Sequence, residues 1–265
     1  MRARNFVPLI PFALSILAVR DASGQDGCRG WEGDRQNRRH CEEREERIAV
    51  PSGGLVVDGR TNGGVEVIGE RRSDVLIVAR VVGTARTMDR AEEIARAVRI
   101  RTSGGRISAE GPRQGADREW WSVTYEIRVP AQIDLDLTAQ NGGLAVEGVT
   151  GDMRLETLNG GIHLLGVGGD VRAETRNGGL HIELLGSTWS GRGLDAITRN
   201  GGVRLLIPPD YSAQLETGTT NGGIDIDFPV TVRGRIGRRI TTELGRGGPL
   251  IRAITTNGGV DVRRG

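Results

Sequence analysis

The sequence predicts an all-β fold: a single elongated β-solenoid, parallel β-helix-like, of about 18-residue two-strand coils, with one short helix near its N-terminal part. Three observations predict it. The tripeptide Asn-Gly-Gly recurs seven times, beginning at Asn62, Asn141, Asn159, Asn177, Asn200, Asn221 and Asn257, and Ser103-Gly-Gly resembles it. The steps from Asn141 to Asn159 and from Asn159 to Asn177 are both 18 residues. After the Gly-Gly, aliphatic residues alternate with others, as in Leu144 and Val146, Ile162 and Leu164, or Leu180 and Ile182. A fixed period of this kind marks stacked repeats, each unable to bury its apolar face alone. Strict alternation marks half-buried strands. The same residues permit a meander of antiparallel hairpins, because Asn-Gly between alternating runs is also a hairpin signal. The constant phase of Asn favours the solenoid. Stacked coils would align the amides of Asn62, Asn141, Asn159, Asn177, Asn200, Asn221 and Asn257 into a ladder, with Gly supplying a positive φ at each turn.

Taken in order, residues 1–24 read as a secretory signal peptide. Arg2 and Arg4 precede an apolar run over 6–19, and Ala22-Ser-Gly24 offers a small-residue cleavage site. The run is short and broken by Pro8 and Pro11, so it is a poor membrane anchor, and no later stretch is apolar enough to span a bilayer. Residues 25–49 read as a charged linker carrying a cysteine pair, Cys28 and Cys41. In an oxidising compartment such a pair reads as a disulfide, with metal binding through the adjacent His40 as the alternative. Residues 50–265 form the repeat domain.

Within it, residues 89–98 carry the one helical pattern. Asp89 with Glu92 resembles a capping box, and Ala91, Ile94, Ala95 and Val98 make an apolar stripe expected to lie across the first strands. Trp120 and Trp121 open a strand that runs to Pro130, so one should face the core and the other outward. Two regular coils follow, and then the spacing stretches to 23, 21 and 36 residues. Insertions in a solenoid sit in turns and project from a face that often binds, which makes Trp189, in the first insertion, a candidate ligand contact. The last strand, at Val260 and Val262, has no obvious cap, so an open edge there could pair with another copy.

Composition narrows the function classes. The 42 glycines lack a three-residue period, which excludes collagen. All 36 basic residues are arginine, so lysine chemistry is absent. Residues 25–265 hold 33 basic and 33 acidic side chains, a balance with no electrostatic footprint for nucleic acid. No cofactor motif and no calcium-binding nonapeptide occurs.

Two arrangements bear on chemistry. Asp134 with Asp136, and Asp225 with Asp227, share strand faces at about 6.8 Å, within the range of a glycosidase pair. Their simpler reading is a charged exterior, with Arg204 and Asp261 on rungs beside Asp225 in cross-strand ion pairs. His163 and His181 fall one coil apart, with Glu183 two residues beyond, a set that could ligate a metal but reads more simply as a polar surface ladder.

The series Thr-x-Asn-Gly-Gly followed by alternating aliphatics, the strand at 123–130 followed by Ile133 to Leu137, and the preceding helix together resemble DUF4097, a bacterial family of β-strand repeats provisionally called adhesins. The resemblance covers roughly residues 50–265 and implies a β-solenoid exposed on or near the cell envelope. It offers no catalytic motif, and some relatives accompany envelope-stress signalling. The expectation is therefore an exported, non-enzymatic scaffold that is periplasmic, cell-surface or secreted. It would present a repetitive surface to an envelope polymer or a protein partner and use no cofactor. The alternatives are a polysaccharide-active β-helix enzyme and a periplasmic envelope-stress accessory protein.

Overall fold

A computed structural model describes residue 28 and residues 37–115, 118–227 and 238–265. The expected signal peptide, 1–24, and Trp31 lie outside the described residues. The first third of the chain forms β1 (Arg38–Ala49), β2 (Leu55–Asp58), β3 (Val65–Glu70), β4 (Asp74–Ala85), α1 (Met88–Ala97), β5 (Arg99–Ser103) and β6 (Arg106–Glu110). Next come β7 (Trp120–Pro130), β8 (Leu135–Ala139), β9 (Leu144–Glu147), β10 (Thr150–Asn159), β11 (Ile162–Leu165), β12 (Gly168–Asn177) and β13 (Leu180–Glu183). The remainder is β14 (Gly193–Asn200), β15 (Val203–Ile207), β16 (Ala213–Asn221), β17 (Ile224–Ile226), β18 (Arg239–Leu244), β19 (Leu250–Asn257) and β20 (Val260–Arg264).

The strands form two ten-stranded mixed sheets. The first runs β1-β4-β7-β3-β9-β11-β13-β15-β20-β17, the second β18-β16-β19-β14-β12-β10-β8-β2-β6-β5. Each of the seven Asn-Gly-Gly tripeptides carries the chain from the second sheet to the first. A meander would place the flanking strands side by side in one sheet, and here they lie in opposite sheets. Equivalent strands of successive repeats then pair in parallel and in register, Asn159 opposite Asn177 and His163 opposite His181. The inward aliphatics of both sheets, among them Val67, Leu137, Leu155 and Leu164, make one continuous core.

The similar tripeptide at Ser103 behaves differently. Ser103-Gly104-Gly105 closes an antiparallel hairpin between β5 and β6, with φ of 63° at Gly104 and 75° at Gly105. Two successive positive φ angles define the type I′ turn that joins twisted antiparallel strands. Of the glycines in the seven Asn-Gly-Gly units only Gly258 has a positive φ, so the expected conformational reason for glycine there is corrected. The reason is close approach. A Cβ on Gly178 would lie 1.9 Å from the Gly160 carbonyl oxygen, and one on Gly160 2.1 Å from that of Gly142. In five of the seven units, before Asn159, Asn177, Asn200, Asn221 and Asn257, the Thr two residues earlier secures the same contact. Thr157 donates to the Gly142 carbonyl at 2.8 Å, Thr175 to Gly160 at 2.7 Å and Thr198 to Gly178 at 2.7 Å, so these buried hydroxyls are satisfied.

Four expectations change. Antiparallel strands flank the parallel stack at its ends (β1, β4, β5 and β18), so the chain is not a uniform series of 18-residue coils. Residues 38–49 are not a linker: β1 pairs with β4 along its whole length, and its mixed charges suit an edge strand. Arg44 of β1 donates to the Ala95 and Val98 carbonyls at 2.8 and 2.6 Å, closing the C-terminal end of α1. The N-cap is Thr87, whose hydroxyl accepts from Arg90 N, so Asp89 falls in the first turn and makes no capping box. Finally, β20 is not an edge. It lies between β15 and β17, as β19 lies between β14 and β16, because the long excursion after Asn221 returns the chain one rung further in.

Tyr125 is the one large polar core residue left unsatisfied among the described residues. It is 1% exposed, its hydroxyl has no partner, and burial pushes its pKa upward. An unmet buried hydroxyl costs on the order of 1–3 kcal/mol. Tyr125→Phe is expected to raise the denaturant midpoint, and a lowered midpoint would refute the assignment.

Candidate functional site

The site is built by the glycines. In each Asn-Gly-Gly the first glycine is wedged against its neighbour, whereas the second faces outward on the first sheet. A Cβ on Gly143 or Gly202 would approach nothing closer than 3.4 Å, and one on Gly223 would meet nothing within 4 Å. The row Gly64, Gly143, Gly161, Gly179, Gly202, Gly259 and Gly223 therefore forms a floor without side chains across seven rungs. At one rung per strand spacing the floor runs about 29 Å. It underlies an open groove of about 1300 Å³.

Flanking the floor is the asparagine ladder. Asn141 donates to Asn62 at 3.2 Å, Asn159 to Asn141 and Asn177 to Asn159 at 2.7 Å, and Asn200 to Asn177 at 2.8 Å. Asn257 then donates to Asn200, and Asn221 to Asn257, each at 2.7 Å. On the other side stands the first outward residue of each strand: Glu66, Ala145, His163, His181, Arg204, Asp261 and Asp225. Parallel in-register pairing makes both rows continuous, since equivalent positions of successive repeats become neighbours.

Electrostatics along this wall are largely settled internally. Arg204 lies 3.5 Å from Asp261, and Arg263 pairs with Asp225 at 2.7 Å and Asp261 at 2.5 Å. Asp261 sits between Arg204 and Asp225, so the expected Arg204–Asp225 adjacency is corrected by the inserted last rung. His163 and His181 meet edge to face with ring centroids 4.7 Å apart. Partial burial, then His163 and Arg204, hold the His181 pKa below the usual imidazole value against the opposing Glu183. Burial, then Glu126 and Glu147, push Glu66 upward. Among the described residues no three His, Cys, Asp or Glu side chains are grouped to hold a metal ion.

The remaining candidates have local roles. Asp225 and Asp227 both face Arg263, and Asp134 accepts from the Asp152 backbone N–H at 2.8 Å. Cys28 and Cys41 are joined in a disulfide, away from the groove floor. Trp189 is corrected as a ligand contact. It is 3% exposed, and its Nε1 donates to the Gly169 carbonyl at 2.9 Å, so the inserted turn packs its indole inward. Among the described residues the accessible indole is Trp120, 39% exposed, while Trp121 is buried and donates to the Pro112 carbonyl. The alternation of β7 required one outward Trp; pairing of Trp120 with Thr84 decides which.

Comparison with known proteins adds little. No family model matches the chain, and no curated protein matches it. Among solved structures, a protein of Clostridium sporogenes ATCC 15579 provisionally described as a cell adhesion protein overlaps at 8% identity and a TM-score of 0.44, covering 84% of this chain and 100% of its own. Two provisionally described adhesins also overlap. That of Bacteroides fragilis NCTC 9343 does so at 10% identity and a TM-score of 0.36, covering 85% of this chain and 97% of its own. That of Parabacteroides distasonis ATCC 8503 does so at 9% and 0.32, covering 83% and 97%. Function lives in sites rather than folds, so the groove is the place to reason from.

The outer face of the second sheet contrasts with the first. It carries ion pairs of Arg154 with Glu156, Arg172 with Glu174, and Arg252 with Asp195 and Glu216. Among the described residues no helix is long and apolar enough to cross a membrane.

Proposed function

We propose that this chain is an exported, non-enzymatic β-solenoid of the cell envelope, related to DUF4097, whose work is to hold an extended polymer in the glycine-floored groove. The observation that carries the reading is the groove itself. A floor that omits side chains on seven consecutive rungs is open along its length, which suits a linear chain better than a compact small molecule. The disulfide agrees with an oxidising compartment. Asp225 and Asp227 are engaged by Arg263, and Asp134 by a backbone N–H, which favours a scaffold over a hydrolase.

Gly202→Leu tests this. Position 202 has ordinary room for a Cβ, so the variant is expected to keep the wild-type melting temperature while filling the middle of the floor. Loss of at least tenfold in affinity for isolated envelope polymers, measured by co-sedimentation, is the expected result. Unchanged retention of every polymer that the wild type binds would remove the groove from the proposal.

A further inference from the structure

The groove does not stop at the first repeat. Its floor meets Thr124 of β7 beside Gly64, and these two residues also line a second hollow of about 450 Å³. That hollow is lined by Trp120, whose indole is exposed, with Ser122, Asn62, Asn141 and Arg39, over a buried Thr84. Among the described residues Trp120 is the only exposed Trp, Tyr or Phe side chain on a groove wall. We infer that the groove's occupant is an electrically neutral polysaccharide, one ring of which stacks on Trp120. The inference rests on the polymer-groove reading and names its ligand class.

Chemistry selects this class over the other linear polymers. The charged lining side chains of both hollows are Glu66, Asp225 and Asp261 against Arg39, Arg204 and Arg263, so the track has no formal net charge. A polyanion such as a nucleic acid binds mainly through an excess of cationic side chains, which this track lacks. An extended polypeptide captured by strand addition gains its affinity from main-chain hydrogen bonds to an open sheet edge. Except at its last rung, the edge strand β17, the groove crosses interior strands whose backbone groups are already paired on both sides. A neutral sugar chain needs neither. Its C–H faces pack on an indole, and its hydroxyls exchange hydrogen bonds with amides and hydroxyls.

The experiment is affinity electrophoresis of the full chain and of Trp120→Ala, Trp120→Phe and Gly202→Leu. The probes are soluble α-glucan, β-glucan and galactomannan, with heparin and an unfolded polypeptide as charged and peptidic comparisons. The expected result is retardation by at least one neutral polysaccharide, weakened about tenfold by Trp120→Ala, largely kept by Trp120→Phe and lost in Gly202→Leu. Polysaccharide binding that is indifferent to Trp120→Ala overturns the inference. So does binding of heparin or polypeptide alone, and if Gly202→Leu blocks it the groove reading survives. Retardation by none of the five probes overturns the inference and counts against the groove reading as well. Polysaccharide binding that Trp120→Ala weakens and Gly202→Leu spares supports the indole subsite and removes the glycine floor.

Discussion

Deleting residues 249–265 is expected to unfold far more than the segment removed. β19 and β20 are not a terminal rung. They separate β14 from β16 in one sheet and β15 from β17 in the other. Thr255 donates to the Gly201 carbonyl on one side, and Thr219 donates to the Gly258 carbonyl from the other. Asn257 joins Asn200 to Asn221, and Arg252 bridges Asp195 and Glu216. Ile251, Ala253, Val260 and Val262 are all at most 2% exposed. Each of the three larger ones contributes on the order of 1.5–3 kcal/mol by burial. Their sum with the lost ladders approaches the whole stability of a typical domain, about 5–15 kcal/mol. The expected outcome is loss of amide-exchange protection over 213–226 and a large fall in melting temperature, with partial recovery when a synthetic 249–265 peptide is supplied in trans. Both rungs carry Thr-Thr-Asn-Gly-Gly, at 219–223 and 255–259, so one competing outcome is direct docking of 213–226 on β14 and β15. Full protection of 213–226 in the truncated chain would show that docking and refute the prediction.

A second large effect separates two adjacent glycines of the same turn. A Cβ on Gly201 would lie 2.0 Å from the Gly178 carbonyl oxygen and 2.5 Å from its carbon, whereas one on Gly202 finds its nearest neighbour at 3.4 Å. Backbone stands on both sides, and the Gly201 carbonyl also receives the Thr255 hydroxyl, so relief requires shifting several rungs. Overpacking of this kind costs about 3 kcal/mol or more. In a chain of this size that corresponds to roughly 6–12 °C in melting temperature. Gly202→Ala is expected to stay within about 1 kcal/mol of wild type. Calorimetry of the two variants is sufficient. Equal melting temperatures would refute the close-packing role of the first glycine.

These two predictions mark where sequence reading succeeded and where it fell short. The Asn phase anticipated a ladder, and alternation anticipated which residues turn inward. The role of Gly-Gly was misread, because Asn-Gly is chiefly known as a turn signal, and whether a glycine serves torsion or close approach depends on what lies across from it. Ser103-Gly-Gly and Asn159-Gly-Gly look alike in sequence. One closes a hairpin, and the other crosses between sheets. Its place in an insertion makes Trp189 read as a ligand contact, yet a side chain's exposure is set by what folds over it, and here its indole turns inward onto the Gly169 carbonyl.

What the sequence by itself determined is therefore local and periodic: all-β character, strand phase, the aliphatic core and where the repeats fall along the chain. Those properties follow from the two-residue period of a strand and the recurrence of one motif, both readable along a single chain. Tertiary structure alone decided the order of rungs, the wedged and the open glycine of each pair, and the joining of the groove to the Trp120 hollow. Each of these depends on which rung lies beside which. Nearly identical repeats offer nearly identical partners, so pairing energies along the chain leave the order open until the connecting segments and the packed core select it.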